Sequence, residues 1–330
     1  MHKIIYGVIF LKRSEVLERL GFTVPDIKKK RVLILSDIAC EADDQFALVH
    51  HLLTPSEDIV GIVACNFERR HRAYQSEQPP TSMDKSYAEG KLLLELMGID
   101  DVPILKGAPD AVLDPNNLPV SEGSDFIIKE AMRDCDSPLY IAIQGAVTDL
   151  TVAYLTEPKI AEKIEAAIWI GGRPYPNGGG GHESNLQKDI YSANVLFESS
   201  VNVWQVPVNA YATAYLSLSE LMTKVRSRGE IGKYIVDRML GVNEKYGQMT
   251  IRIPFPHGEV WSIGDQPTIT VLLQSESGSK FHMEHAPHIN DDLTYTPNPN
   301  GKLIRVYDSL DQRLTMDDFF AKLELCYRNK

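Results

Sequence analysis

The feature that most restricts the fold is the stretch RVLILSDIACEADDQFALVHHLL, residues 31–53. The apolar run Val32 to Leu35 does not alternate with polar residues, the pattern of a strand buried on both faces. It ends in Ser36 and Asp37, and a short loop carrying Glu41 leads to the paired acids Asp43 and Asp44. Those acids open an expected helix over residues 43–53, where Phe46, Leu48, Val49 and Leu52 are apolar. Acids in a first turn complement a helix dipole, which accounts for one carboxylate but not for a set of four. Oxygen donors gathered in so short a span suit a hard divalent cation such as calcium or magnesium. A carboxylate beside such a cation can orient or deprotonate water, and Asp37 is the candidate.

The same strand-to-helix alternation continues for about 170 residues. Strands are expected at residues 59–64, 102–105, 139–143, 166–170 and 201–206, with helices at 86–97, 125–133, 148–155 and 190–199. That order predicts an α/β fold with an open, mainly parallel, Rossmann-like sheet and helices on both faces. Ligands of such sheets bind at the carboxyl ends of strands. Asp37, Asn66, Gln144 and the loop after Gly172 all fall there, as does the start of a long polar segment after residue 65. The remaining third reads as helices at 216–226, 231–246 and near Thr268, a strand pair at 281–284 and 303–307, and a last helix at 316–327.

Composition narrows the function classes. A net charge of −11 over 330 residues excludes the basic footprint of a nucleic-acid binder but leaves room for a small nucleoside. Four scattered cysteines lack zinc spacing and read as reduced thiols, so a cytoplasmic location is expected. The apolar run at residues 4–11 is too short to span a bilayer, and Lys12, Arg13 and Glu15 stand where a signal peptide would need small residues. Residues 1–30 are read as an appended arm, partly helical around 14–20, and residues 31–330 as the main α/β domain.

Two further groups carry chemistry. Asn177, Glu183 and Asn185 flank four consecutive glycines, Gly178 to Gly181, which point to a mobile lid or a close approach to a ligand. Amides and carboxylates suit sugar hydroxyls, which both donate and accept, although a polar surface turn would read the same way. Asp265, within WSIGDQPT, stands before Pro267 and could cap the following helix.

Lined up in order, these pieces resemble the inosine/uridine-preferring nucleoside hydrolase superfamily, and most of all a diverged nucleoside-hydrolase-like branch with an Asp-Ile-x-x-Glu-x-Asp-Asp signature. The resemblance runs from about residue 31 to 273. DIACEADD stands where well-known members carry an Asp-x-Asp-Pro-Gly-x-Asp-Asp turn, and QGAVTD, from Gln144 to Asp149, matches the mid-chain turn. Asn177, Glu183 and Asn185 match the Asn-x5-Glu-x-Asn ribose pattern, and Asp265 the late metal-binding aspartate. The resemblance implies calcium held by Asp37, Asp44, Asp265 and the backbone carbonyl of Gln144. It implies ribose held by Asp43, Asn177, Glu183 and Asn185. A metal-bound water, activated by Asp37, would attack the anomeric carbon through an oxocarbenium-like transition state and release ribose and free base.

Two departures stand out. Aligned back from the acid pair without a gap, Ala39 takes the general-base position. Aligned from the strand end, Asp37 takes it, the loop is two residues longer, and Glu41 becomes a ligand or supporting acid. Gly264 stands where many members have the histidine that protonates the leaving base. His182, His257 and Tyr175 are the candidates to replace it, with Asn66 also at a strand end. Trp261 reads either as a stacking partner for the base or as core. The alternatives are a hydrolase of another glycoside and a non-catalytic metal- and sugar-binding homologue. The resemblance also implies a homo-oligomer, dimer or tetramer, acting on a small molecule without nucleic-acid or membrane partners.

Overall fold

The central sheet is built around strand β1, Lys30–Ser36. A computed structural model describes residues 4–5, 8–69, 80–175, 179–247, 258–274 and 278–328. In chain order the other strands are β2, Glu57–Ala64, β3, Ile104–Lys106, β4, Leu139–Gln144, and β5, Ile164–Ile170. They continue with β6, Val203–Val206, β7, Ser279–His285, and β8, Leu303–Leu310. The spatial order is β7-β8-β6-β5-β4-β1-β2-β3. Every neighbouring pair is parallel except β7 with β8 at one edge.

The unbroken apolar run of β1 follows from this central place. Val32 and Ile34 enter one hydrophobic cluster, and Leu33 and Leu35 enter the other, because successive side chains of a strand point to opposite faces. The first cluster takes Phe46, Leu48, Val49 and Leu52 from the helix Asp44–Leu52, and Phe319 and Leu323 from Gln312–Tyr327. The second takes Leu150 and Ala153 from the helix Thr148–Thr156, and Leu196 and Phe197 from Ile190–Glu198.

Topology then fixes where a ligand can sit. From β1 the chain runs outward through β2 to β3 and returns to β4 on the opposite side of β1. That reversal opens a crevice outside the carboxyl ends of β1 and β4, the usual binding place of open α/β sheets. Ser36 and Gln144, the last residues of these two strands, are level in the register.

One expectation changes in detail. Residues 216–226 are not one helix: Tyr215–Ser217 is a short strand antiparallel to Val260–Ser262, with Leu216 opposite Trp261, and Leu221–Val225 is π-helical. The late strand pair forms as expected, and β8 adds in parallel to β6 and carries β7 into the sheet with it. Within the segment expected as an arm, Arg13 is buried and donates to the carbonyls of Leu52 and Glu57 at 2.8 Å and Thr54 at 2.7 Å. Val16 and Leu20 join the first cluster.

Asp149 ties the strand-end loops together. Its Oδ1 accepts from the Ala108 amide at 2.9 Å and the Ser121 hydroxyl at 2.6 Å. Gly107 makes room for it, since a Cβ there would sit 2.5 Å from Asp149 Oδ2. Burial raises the Asp149 carboxyl from 3.8 to about 6. The folded protein therefore keeps this proton in a range where the unfolded chain has lost it, so its contribution is full below about pH 4 and is lost as pH rises to about 6. Measured by urea unfolding from pH 4 to 7, the wild type is expected to lose about 2 kcal/mol more than Asp149→Asn. Parallel stability profiles would contradict this.

Candidate active site

Asp37 follows β1 directly and reaches into the crevice because the residue after β4 is glycine. A Cβ on Gly145 would stand 2.6 Å from Asp37 Oδ1. The Cys40 amide donates to the Asp37 carbonyl at 2.7 Å and closes the turn. Arg238 clamps the rest of the loop by donating to the carbonyls of Ala39 at 3.2 Å and Glu41 at 3.0 Å.

Helix capping does not explain the acids. Asp43 occupies the N-cap position of Asp44–Leu52, yet its side chain makes no cap hydrogen bond. Its Oδ2 instead accepts from the Gly264 amide at 2.9 Å. Asp44 Oδ1 accepts from the Ser36 hydroxyl at 2.5 Å. The helix Pro267–Leu273 is capped at Gln266, again without a side-chain bond, so Asp265 is left facing the cavity. Thr268 positions that helix: its hydroxyl donates to the Asp265 carbonyl at 3.0 Å and accepts from Gln144 Nε2 at 2.9 Å. The ring of His51 meets the same oxygen at 3.0 Å.

The result is a dense, buried patch of negative charge. Oxygens of Asp43, Asp44 and Asp265 lie within 4.8 Å of one another. Burial, followed by the charge of Glu41, pushes Asp43 up to about 7. Burial and neighbouring carboxylates, Asp37 among them, push Asp44 and Asp265 well above the usual range. Such a group needs protons or a cation to be stable. Oxygen-only donors at this spacing fit calcium or magnesium. They line a cavity together with Gln144 and Glu41.

Asp37, expected among the metal ligands, stands outside that trio. Its Oδ2 is paired with the buried ammonium of Lys188, which also donates to Asn185 Oδ1 at 2.6 Å. Burial works to lower the Lys188 pKa, but Asp37, through its charge and its hydrogen bond, acts together with Cys40 and Asp44 to hold the ammonium well above its ordinary value. Lys188 ends the short helix Ser184–Lys188, whose N-cap is Glu183. Glu183 accepts from the amides of Gly172 at 2.7 Å, Leu186 at 2.8 Å and Asn185 at 3.1 Å, and from the Tyr211 hydroxyl at 2.8 Å. Glu183 and Asn185 both line the cavity.

Other sequence candidates lie elsewhere. Asn177 and His257 fall outside the described residues. Asn66 is buried and donates to the Ala108 carbonyl at 3.2 Å, away from the cavity lining. His182 is exposed, Trp261 is fully buried in the first core cluster, and Tyr175 packs against Tyr295 with ring centroids 5.1 Å apart. Gly180 and Gly181 serve a neighbouring backbone. Gly180 has φ +82° and a Cβ there would meet the Leu293 carbonyl at 2.3 Å. The Gly181 amide donates to that same carbonyl at 2.6 Å.

Among the cavity residues that the sequence did not single out are Lys188 and Tyr211. Lys188 could have been found three residues after Asn185, one helical turn on. Tyr211 follows the end of β6 and explains Gly264: a Cβ there would lie 3.2 Å from both the Tyr211 ring and Asp43 Oδ2. A side chain at position 264 would press on both.

Comparison with known proteins agrees with this geometry. Uridine nucleosidase 1 of Arabidopsis thaliana is 22% identical over 241 residues, 66% of this chain and 68% of that protein. A plant nucleoside hydrolase structure superposes with TM-score 0.69 at 16% identity, covering 91% of this chain and 99% of its own. A purine-preferring ribonucleoside hydrolase from Gardnerella vaginalis gives 0.68 at 14% identity, covering 91% and 100%. At such identities these structures speak for the fold alone. A family model for inosine-uridine preferring nucleoside hydrolases matches residues 33–298, and with it this chain takes its place as a member of that family of enzymes, which cleave N-glycosidic bonds.

Proposed function

We propose that this chain is a calcium-dependent ribonucleoside N-ribohydrolase, with Asp37 as the base that activates water. The observation that carries this reading is the convergence of Asp43, Asp44 and Asp265 within 4.8 Å, beside Asp37 at the switch point of the sheet. Asp43, Asp44 and Asp265, with the Gln144 carbonyl, would hold the ion. Calcium, once bound, offsets the buried charge and makes nearby water more acidic.

The chain's own groups supply the rest. Asp37 takes a proton from the attacking water, and Lys188 keeps its carboxylate turned into the cavity. Asn185 and Asp43, both at the cavity wall, meet ribose hydroxyls, and Glu183 braces that wall through its four hydrogen bonds. As the N-glycosidic bond breaks, positive charge develops on the sugar ring, and the surrounding carboxylates stabilise it.

Purified protein with calcium is expected to release ribose from inosine or uridine, with Asp37→Ala lowering kcat by about 10²–10⁴-fold. No turnover over a panel of purine and pyrimidine ribonucleosides would contradict the reading, and release of sugar from other glycosides alone would redirect it. Calcium is also expected to raise the melting temperature, because a ligand at 100 times its Kd adds about 2.7 kcal/mol to stability. Asp44→Asn and Asp265→Asn should each remove most of that rise. An unchanged rise in both variants would place the ion elsewhere.

A further inference from the structure

A lysine at the wall of a cation site is unusual, because its ammonium competes with the ion for the same carboxylates. Lys188 is 2% exposed at its side chain and is paired with Asp37 Oδ2, itself 1% exposed. The second contact of its ammonium is Asn185 Oδ1 at 2.6 Å. Both partners and Lys188 line the same cavity as Asp43, Asp44 and Asp265. The helix Ser184–Lys188 is anchored at its other end by Glu183, which places the Lys188 backbone beside the cavity.

We infer that Lys188 is a built-in cation that withdraws Asp37 from the metal's donor set and weakens divalent-ion binding at Asp43, Asp44 and Asp265. The inference rests on the metal reading of the acidic trio given above. Four buried carboxylates would otherwise share one ion, and Asp37, as a ligand, would be less free to accept a proton. With the ammonium present, Asp37 has its own counter-charge, and the remaining three acids keep a net attraction for a divalent cation. Lys188 is thus a positioning residue for Asp37 and a brake on affinity, so that occupancy of the site depends on the free calcium concentration.

The test uses the full chain and calcium chloride alone, followed by isothermal titration calorimetry at fixed pH. Lys188→Met removes the charge at similar length. Lys188→Gln removes it while leaving an amide able to donate to Asp37 and Asn185, and serves if the methionine variant does not fold. Repulsion between a unit and a double positive charge a few ångströms apart is large enough, even with water-like screening, to expect calcium to bind the variants about tenfold tighter or more. Equal or weaker binding in the variants than in the wild type would overturn the role of Lys188. Absence of calcium binding in the wild type and both variants would instead overturn the metal reading beneath it.

Discussion

The structure depends on a concentration of buried negative charge at the carboxyl end of β1. Asp37, Asp43, Asp44 and Asp265 come from two distant parts of the chain. Each would be costly to bury alone. What makes the arrangement tenable is that each acid has a specific polar contact or a shared cation site. Lys188 meets Asp37, Ser36 meets Asp44, and the Gly264 amide meets Asp43. The Thr268 hydroxyl, joined to Gln144 and His51, holds the helix that presents Asp265. These supporting contacts tie the sheet, the helix Asp44–Leu52 and the late helix into one unit. The packing of the fold and the electrostatics of the cleft are therefore not separable.

The topology explains why that charge is gathered there and not on an outer face. Two β-strands that run side by side but are followed by connections leaving in opposite directions create a gap that neither connection fills. The turns after β1 and β4 border this gap, and Gly145 lets Asp37 cross it. Arg238 and Asp149 then pin the loops that would otherwise be loose at a strand end.

Much of this was legible in the sequence, for physical reasons. The unbroken apolar run at 32–35 could only be a strand covered on both faces. The alternation after it gave the parallel sheet and hence the edge where Asp37 and Gln144 meet. The residues of the glycine-rich loop read equally as a site or a surface turn, and it was the family resemblance that pointed to Glu183 and Asn185, without revealing that Glu183 is a helix cap with four hydrogen bonds. Lys188 was passed over because a lone lysine beside an aspartate normally reads as a solvated charge pair, and its place one helical turn after Asn185 was the only sequence signal. Only its burial shows that it belongs to the site. The glycine run misled for a similar reason. Sequence records that a Cβ is not tolerated, but not whether the neighbour is a ligand or, as at Gly180, the carbonyl of Leu293.

A crystal of the wild-type chain grown with calcium and ribose would test the account most directly, with the cation located by its anomalous scattering. A peak is expected at about 2.3–2.6 Å from oxygens of Asp43, Asp44 and Asp265, with ribose hydroxyls against Asp43 and Asn185 and the anomeric carbon facing Asp37. A cation or sugar found only away from this crevice, at saturating concentrations of both, would contradict it.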